Sequence, residues 1–151
     1  MKKLLVLILL LCVCVTAAGE EYDVWVLCQP DSYINIRESP SKNSKVGGYA
    51  FCGDKFTTNE ETKNGYMLVY APIEQGYGWI KKGYLVFSEP REVNVETYIA
   101  AKGRVKARKT IDGKRRVWLK PGDDIFVYWA SDWAVTNKGF VKTEYIEGFG
   151  N

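Results

Sequence analysis

Histidine is absent from the 151 residues of this chain, and its absence excludes several classes of enzyme. Cys–His and Ser–His–Asp hydrolases need an imidazole base, and most catalytic zinc sites need imidazole ligands. No phosphate-binding glycine loop, EF-hand or cysteine-pair zinc motif occurs either. A carboxylate-pair glycosidase or a Ser–Lys nucleophile stays open, although no acidic residue is singled out by its context. The sequence therefore predicts a protein that is not an enzyme and holds no cofactor or metal.

Long stretches with helical periodicity are also missing. The chain instead shows short runs of alternating polar and apolar residues, separated by Gly, Pro, Asn and Asp. Aromatic residues make up 14% of the chain and glycine occurs 14 times. This composition indicates an all-β protein.

The N-terminus has the three parts of a secretory signal peptide. A basic start, Met1–Lys3, precedes an apolar run, Leu4–Val15, and a small-residue tract, Thr16–Gly19. The run is shorter than a bilayer-spanning helix, so a retained membrane helix is the less favoured alternative. Cys12 and Cys14 follow bulky residues, which disfavours lipidation. We expect cleavage after residue 18, no transmembrane anchor after processing, and a location that is secreted, periplasmic or at the cell surface.

Two cysteines, Cys28 and Cys52, remain after this cleavage. In an oxidising compartment an even pair is expected to form a disulfide. The alternative is two unpaired thiols that pack as small apolar side chains. Sequence alone leaves both open.

An internal repeat is the most informative feature of the chain. Similar elements recur in the same order, with a sequence offset of 71 residues at the first element, 69 at the second and 61 at the last two. The first copy contains Ile34–Arg37, Gly53–Asp54, Gly78–Ile80 and Tyr84–Leu85, and the second contains Val105–Arg108, Gly122–Asp123, Gly139–Val141 and Tyr145–Ile146. The pattern predicts a duplicated unit of about sixty residues.

The first copy resembles the bacterial SH3 family. Its segments SYINIRESPSKNSKVGGYAFCGDKF, NGYMLVY and GYGWIKKGYL carry the Asn-x-Arg strand, the Pro-Ser and Gly-Asp turns, and the Gly-Trp and Tyr-Leu elements of that family. The second copy is a looser match, with Lys106 and Phe140 where the family commonly has Asn and Trp. The resemblance implies two small SH3-like β-barrels in tandem, which we expect at residues 22–88 and 94–148 with a linker at 89–93. It also implies a binding role, often toward peptidoglycan peptides.

Aromatic residues of the first copy are candidates for ligand binding. Tyr66, Trp79 and Tyr84 could form a groove for an extended peptide, as SH3-type grooves do. They could equally be packing residues of a small barrel, in which large aromatics supply much of the buried area. Arg37 is interpreted as a structural residue that bonds the turn following its strand.

The second copy carries a different candidate surface. Residues 19–90 hold 7 basic and 10 acidic side chains, a net charge of −3, whereas residues 91–151 hold 12 and 8, a net charge of +4. Lys102, Arg104, Lys106 and Arg108 occur at every second position, which on a strand places them on one face. That face could bind a polyanion, with Arg104 and Arg108 as candidate contacts, or could be an ordinary solvated surface.

The predicted function is therefore a secreted, non-catalytic binding module for peptidoglycan peptides or another cell-surface polymer. An adaptor or inhibitor that binds an envelope protein is the main alternative, and a small cell-wall hydrolase is a distant third. No nucleic acid is expected as a specific partner.

Overall fold

The computed structural model describes residues 19–70 and 76–149, which form two β-sheets. The predicted signal peptide at residues 1–18 lies outside the described residues. Within the described ranges there is no α-helix, only two turns of 3-10 helix at Lys82–Tyr84 and Thr143–Tyr145. Neither is long and apolar enough to cross a bilayer.

Sheet 1 contains the first eight strands. Its spatial order is β3-β2-β7-β6-β4-β1-β8, and β5 pairs with β6. The strands are β1 Tyr22–Val26, β2 Ile34–Arg37, β3 Val46–Ala50, β4 Lys55–Thr58, β5 Thr62–Lys63, β6 Tyr66–Tyr70, β7 Tyr77–Lys81 and β8 Leu85–Val86.

Sheet 2 contains the remaining six strands in the order β11-β10-β14-β13-β12-β9. The strands are β9 Arg91–Tyr98, β10 Val105–Arg108, β11 Arg115–Leu119, β12 Asp124–Ala130, β13 Trp133–Thr136 and β14 Gly139–Lys142. Each strand takes the place of one strand of sheet 1: β11 that of β3, β10 that of β2, β14 that of β7, β13 that of β6, β12 that of β4 and β9 that of β1. We call residues 22–86 repeat 1 and residues 91–146 repeat 2.

The equivalence extends to individual hydrogen bonds. In repeat 1 the carboxylate of Asp54 accepts from the backbone N–H of Phe51 at 2.8 Å, and in repeat 2 that of Asp123 accepts from the N–H of Lys120 at 2.7 Å. The glycine before each aspartate has a positive φ, +89° at Gly53 and +82° at Gly122, the region that favours glycine in a tight turn. The Gly-Asp pairs of the sequence repeat are therefore equivalent turns.

Each sheet encloses its own core, and a third core joins the repeats. Alternation along β1 buries Val24 and Val26, as expected for a strand with one face inward. The third core contains Leu27 and Val86 from repeat 1 with Val135 and Phe140 from repeat 2. The repeats are thus packed together, and Gly83 of repeat 1 also accepts a hydrogen bond on its carbonyl oxygen from the N–H of Ile111, at 2.9 Å.

The prediction of an all-β protein with two small β units is confirmed, with two differences. Hydrogen bonding closes neither sheet into a barrel within residues 19–70 and 76–149, because each sheet has two edge strands that pair with a single neighbour. These are β3 and β8 in sheet 1 and β11 and β9 in sheet 2. Strand β9 also begins at Arg91, inside the segment predicted as a linker, since Arg91 pairs with Ala130 of β12.

Candidate binding grooves of the two repeats

Repeat 2 carries a groove of about 560 Å³ beside the start of β10. Its lining contains five basic side chains, three aromatic side chains and no carboxylate. The basic residues are Lys102, Arg104, Lys106, Arg108 and Lys142, and the aromatic residues are Trp118, Trp133 and Tyr145. We call this site the cationic groove.

The four predicted cations do converge on this groove, but only two of them lie on a strand. β10 begins at Val105, and its alternation buries Val105 and Ala107 while Lys106 is exposed. Lys102 and Arg104 reach the groove from the bend before the strand. The predicted ladder on one strand face is therefore wrong in its geometry, because the strand starts later than the alternation of charge.

Aromatic rings lie among the cations. The Nζ of Lys106 is 5.5 Å from the ring centroid of Trp118, and the guanidinium of Arg115 is 5.1 Å from the same ring. The guanidinium of Arg108 is 6.0 Å from the ring of Trp133. Such distances are within the range of cation–π attraction, which holds the long side chains over the rings.

Arg108 is also fixed by the backbone. Its Nη1 donates to the carbonyl oxygen of Gly113 at 3.1 Å. In repeat 1 the equivalent Arg37 donates to the carbonyl oxygen of Ser44 at 2.7 Å. Both arginines therefore close the loop that follows their strand, as predicted for Arg37, and Arg108 has a structural role as well as a place in the groove.

Repeat 1 has a smaller groove, of about 200 Å³, in the equivalent place. It is lined by Tyr33, Ile34, Asn35, Arg37, Tyr66, Lys81 and Tyr84. The structure brings Tyr66 and Tyr84 together here, as predicted, but Trp79 is not part of the lining. Trp79 instead pairs with Arg37 across β2 and β7 and is half-buried. We call this site the tyrosine groove.

Tyr84 connects the tyrosine groove to the packing between the repeats. Its ring contacts Phe140 edge-on, with 6.2 Å between centroids, and burial raises the pKa of its hydroxyl. The hydroxyl therefore stays protonated at neutral pH. Tyr84 therefore both lines the tyrosine groove and packs between the repeats.

Cys28 and Cys52 are neighbours, although the structure has them as free thiols. The backbone N–H of Cys28 donates to Sγ of Cys52 at 3.3 Å, and Cys28 is buried in the repeat 1 core. A hydrogen bond from the Cys52 thiol lowers the pKa of Cys28 to about 7, while that bond and burial raise the pKa of Cys52. The disulfide stays a prediction, and the proximity it requires is present.

Two features of the grooves were missed by the sequence prediction. Trp118 lines the cationic groove with 39% of its surface exposed, and Tyr33 lines the tyrosine groove with 56% exposed. A cross-strand register would have identified them, because Trp118 lies opposite Lys106, and Tyr49, whose ring packs edge-on against that of Tyr33, lies opposite Asn35. No cluster of three metal-binding side chains occurs in the part of the chain that the structure describes.

Comparison with known proteins adds two distant structural likenesses. NlpC1 from Trichomonas vaginalis is similar with a TM-score of 0.38 and 9% identity, over 87% of this chain and 47% of that chain. NlpC2 from the same organism is similar with a TM-score of 0.36 and 10% identity, over 86% and 49%. The chain thus spans about half the length of these proteins. No protein-family model and no curated protein matches it. TM-scores this low assign neither a family nor a ligand.

Proposed function

We propose that the chain is a secreted, non-catalytic binding module for a cell-surface polymer, and that its cationic groove holds an anionic part of that polymer. The observation that carries this proposal is the lining itself, with five cations, three aromatic rings and no carboxylate. Like charges gathered around a concave surface raise the local concentration of a counter-ion and favour a polyanion.

Several of the groove's cations keep their charge available for a ligand. Among the described residues, Lys102, Arg104 and Lys106 form no ion pair, whereas Lys142 is 3.5 Å from Glu144. Lys106 is exposed at the groove edge. Three unpaired cations within one groove repel one another, and a bound anion would relieve that repulsion.

The aromatic rings favour a polymer over a small inorganic ion. Trp118, Trp133 and Tyr145 provide apolar surface between the cations, and a groove of about 560 Å³ is larger than a single inorganic ion fills. Rings and cations together suit a chain whose repeating unit has both an anionic group and an apolar face. An anionic polymer carried on peptidoglycan has that chemistry.

The test is retention on purified bacterial sacculi, with and without acid extraction of their phosphodiester polymers, in parallel with zymography. We expect retention that falls after extraction and falls with rising salt, because charge screening shortens to about 8 Å at physiological ionic strength. We expect no clearing in the zymogram. Salt-independent retention, or retention unaffected by extraction, would contradict the anionic ligand, and clearing would contradict a non-catalytic role.

A charge-matched pair of variants locates the site. The triple variant Lys102→Gln, Arg104→Gln, Lys106→Gln removes three groove cations, and we expect it to bind at least about tenfold more weakly, the equivalent of about 1.4 kcal/mol. The control Lys109→Gln, Lys114→Gln, Arg116→Gln removes three exposed cations of the same repeat that do not line the groove. Equal losses in the two variants would show a nonspecific effect of net charge.

A further inference from the structure

The duplication allows the two grooves to be compared position by position. They share four residues of a common frame: an arginine at Arg37 and Arg108, an aromatic ring at Tyr66 and Trp133, a lysine at Lys81 and Lys142, and a tyrosine at Tyr84 and Tyr145. Strand pairing confirms the match, since Tyr66 lies opposite Lys81 and Trp133 lies opposite Lys142.

The surface next to this frame differs in chemistry between the repeats. Asn35 lies opposite Tyr49 in sheet 1, where Lys106 lies opposite Trp118 in sheet 2. Tyr33 takes the place of Arg104, two residues before Asn35 and Lys106, and Phe51 takes the place of Lys120 before the equivalent Gly-Asp turns. Three cations of repeat 2 are thus replaced by uncharged side chains in repeat 1. We call Tyr33, Asn35, Tyr49 and Phe51 the aromatic face.

The rings of the aromatic face are exposed. Tyr33, Tyr49 and Phe51 retain 56%, 58% and 57% of their surface, and the rings of Tyr33 and Tyr49 form an edge-to-face pair with centroids 4.8 Å apart. Clustered exposed aromatics on a folded protein commonly mark an interaction site, because leaving them in water is unfavourable. Tyr33 also lines the tyrosine groove, so the face and the groove are continuous.

We infer that the aromatic face of repeat 1 is a second binding site, which takes an uncharged saccharide chain. Two pairs of lining residues, Tyr33/Arg104 and Asn35/Lys106, separate its specificity from that of the cationic groove, and Phe51/Lys120 is a third exchange of charge beside the grooves, outside their linings. This inference rests on the proposed function as a polymer-binding module. A sugar ring has an apolar C–H face that packs on an aromatic ring and hydroxyls at its rim. The amide of Asn35 and the tyrosine hydroxyls provide donors and acceptors for that rim.

The charges around the face agree with an uncharged ligand. Its four residues carry none, and the guanidinium of neighbouring Arg37 is engaged by the carbonyl of Ser44. A polyanion would meet few cations here, because the adjoining tyrosine groove is lined by only two basic residues, Arg37 and Lys81, against five in the cationic groove. Tyr49 lies on β3, Tyr33 directly precedes β2 and Phe51 directly follows β3, so side chains rather than a strand edge form the face. An added peptide strand would instead bind the backbone of a strand edge.

The test is to titrate a chain of residues 19–149 with three uncharged probes and to measure binding by NMR or calorimetry. The probes are chitotetraose, cellotetraose and maltotetraose. We expect binding of at least one, and at least about a tenfold loss of affinity in the variant Tyr33→Ala, Tyr49→Ala. The control Tyr70→Ala, Tyr77→Ala removes the other exposed edge-to-face tyrosine pair of the same repeat, whose centroids are 5.5 Å apart, and should bind as the original chain does.

Binding of the anionic polymer dextran sulfate distinguishes a failure of this inference from a failure of the proposed function. We expect Tyr33→Ala, Tyr49→Ala to retain it, which also shows that the variant is folded. If dextran sulfate binding is absent while a tetrasaccharide binds, the anionic proposal fails and the aromatic face stands. If no tetrasaccharide binds, if both tyrosine pairs matter equally, or if a peptide stem competes at the face, the saccharide site is overturned.

A transplant tests the specificity positions directly. In a chain whose cationic groove carries Lys102→Gln, Arg104→Gln and Lys106→Gln, we expect Tyr33→Arg, Asn35→Lys, Phe51→Lys to restore dextran sulfate binding and to abolish tetrasaccharide binding. The reduced variant Tyr33→Arg, Phe51→Lys changes only exposed positions and should restore part of the dextran sulfate binding. No gain in either variant would show that these positions do not set the charge of the ligand.

Discussion

Arg104 and Arg108 line the same groove but are held differently, so their substitution should separate binding from stability. Arg108 donates to the backbone of Gly113 at 3.1 Å and lies over Trp133, whereas Arg104 is exposed. We expect Arg108→Gln to lower the free energy of unfolding by about 1.5–3 kcal/mol, since a hydrogen bond to a charged group is lost. Arg104→Gln should change it by less than about 0.5 kcal/mol. Chemical denaturation measures both, and equal values would contradict the structural role of Arg108.

Cys28 and Cys52 should form a disulfide in an oxidising compartment. The backbone N–H of Cys28 already lies 3.3 Å from Sγ of Cys52, and the residues are 24 apart in sequence. Closing that loop should stabilise the fold by about 3 kcal/mol in the chain-entropy model. Because the pKa of Cys28 is lowered to about 7, its thiolate fraction and the oxidation rate should rise as the pH rises through 7.

Thiol counting on the unreduced protein and peptide mapping check this prediction. The described chain should have no free thiol after oxidation and two after reduction, and the melting temperature should fall on reduction. The variant Cys52→Ser provides the control, since it cannot form the bond and should show no effect of reductant. Detection of two free thiols under oxidising conditions would contradict the predicted disulfide.

The backbones of β10 and β14 approach so closely at Gly139 that a side chain at this position would clash with β10. Gly139 opens β14 with φ of +122°, and a Cβ at this position would lie 2.4 Å from the carbonyl oxygen of Arg108. Gly139→Ala should therefore destabilise the fold by roughly 1–3 kcal/mol through backbone strain. Gly103→Ala, where nothing lies within 4 Å, serves as the control. Equal unfolding free energies for the two variants would contradict the close approach.

At the level of strands, the sequence predicted those elements whose signals are local. Alternating residues identified β2 and β10, the Gly-Asp pairs identified the two equivalent turns, and the ordered repeat predicted two related β units. Alternation of charge before Val105 was misleading, because a polar alternation persists through a bend whereas the strand starts where Val105 and Ala107 are buried. The groove residues Tyr33 and Trp118 were missed because cross-strand neighbours depend on register, which a single sequence leaves open.

At the scale of the whole molecule, the contact between the repeats lay beyond sequence prediction. It depends on apolar residues that local periodicity cannot distinguish from those of each separate core. Leu27 and Val86 of repeat 1 meet Val135 and Phe140 of repeat 2, and Gly53 approaches Trp129 so closely that a Cβ there would lie 3.2 Å from the indole ring. The resemblance of each copy to a small independent module gave no sign of this shared core.

The shared core should make the two repeats unfold as one unit. A unit of about sixty residues buries a smaller fraction of its surface than a larger domain does and is marginally stable alone, so we expect each repeat to be stabilised by the contact with the other. Phe140 is 1% exposed at the centre of that contact. We expect Phe140→Ala to lower the free energy of unfolding by about 3–5 kcal/mol, and Phe51→Ala, the same change at a position 57% exposed, to alter it by less than about 0.5 kcal/mol.

Calorimetry and optical probes can test that cooperativity. For the original chain, the calorimetric and van't Hoff enthalpies should agree, and far-UV circular dichroism should report the same midpoint as tryptophan fluorescence. Tryptophan occurs at two positions in repeat 1 and at three in repeat 2, so substituting Trp25 and Trp79 with Phe leaves a signal from repeat 2 alone. That signal should still coincide with circular dichroism, because neither repeat can lose the packing around Phe140 without exposing apolar surface of the other. Two separable transitions in the original chain would mean that the repeats are independent domains, and Phe140→Ala would then destabilise repeat 2 alone.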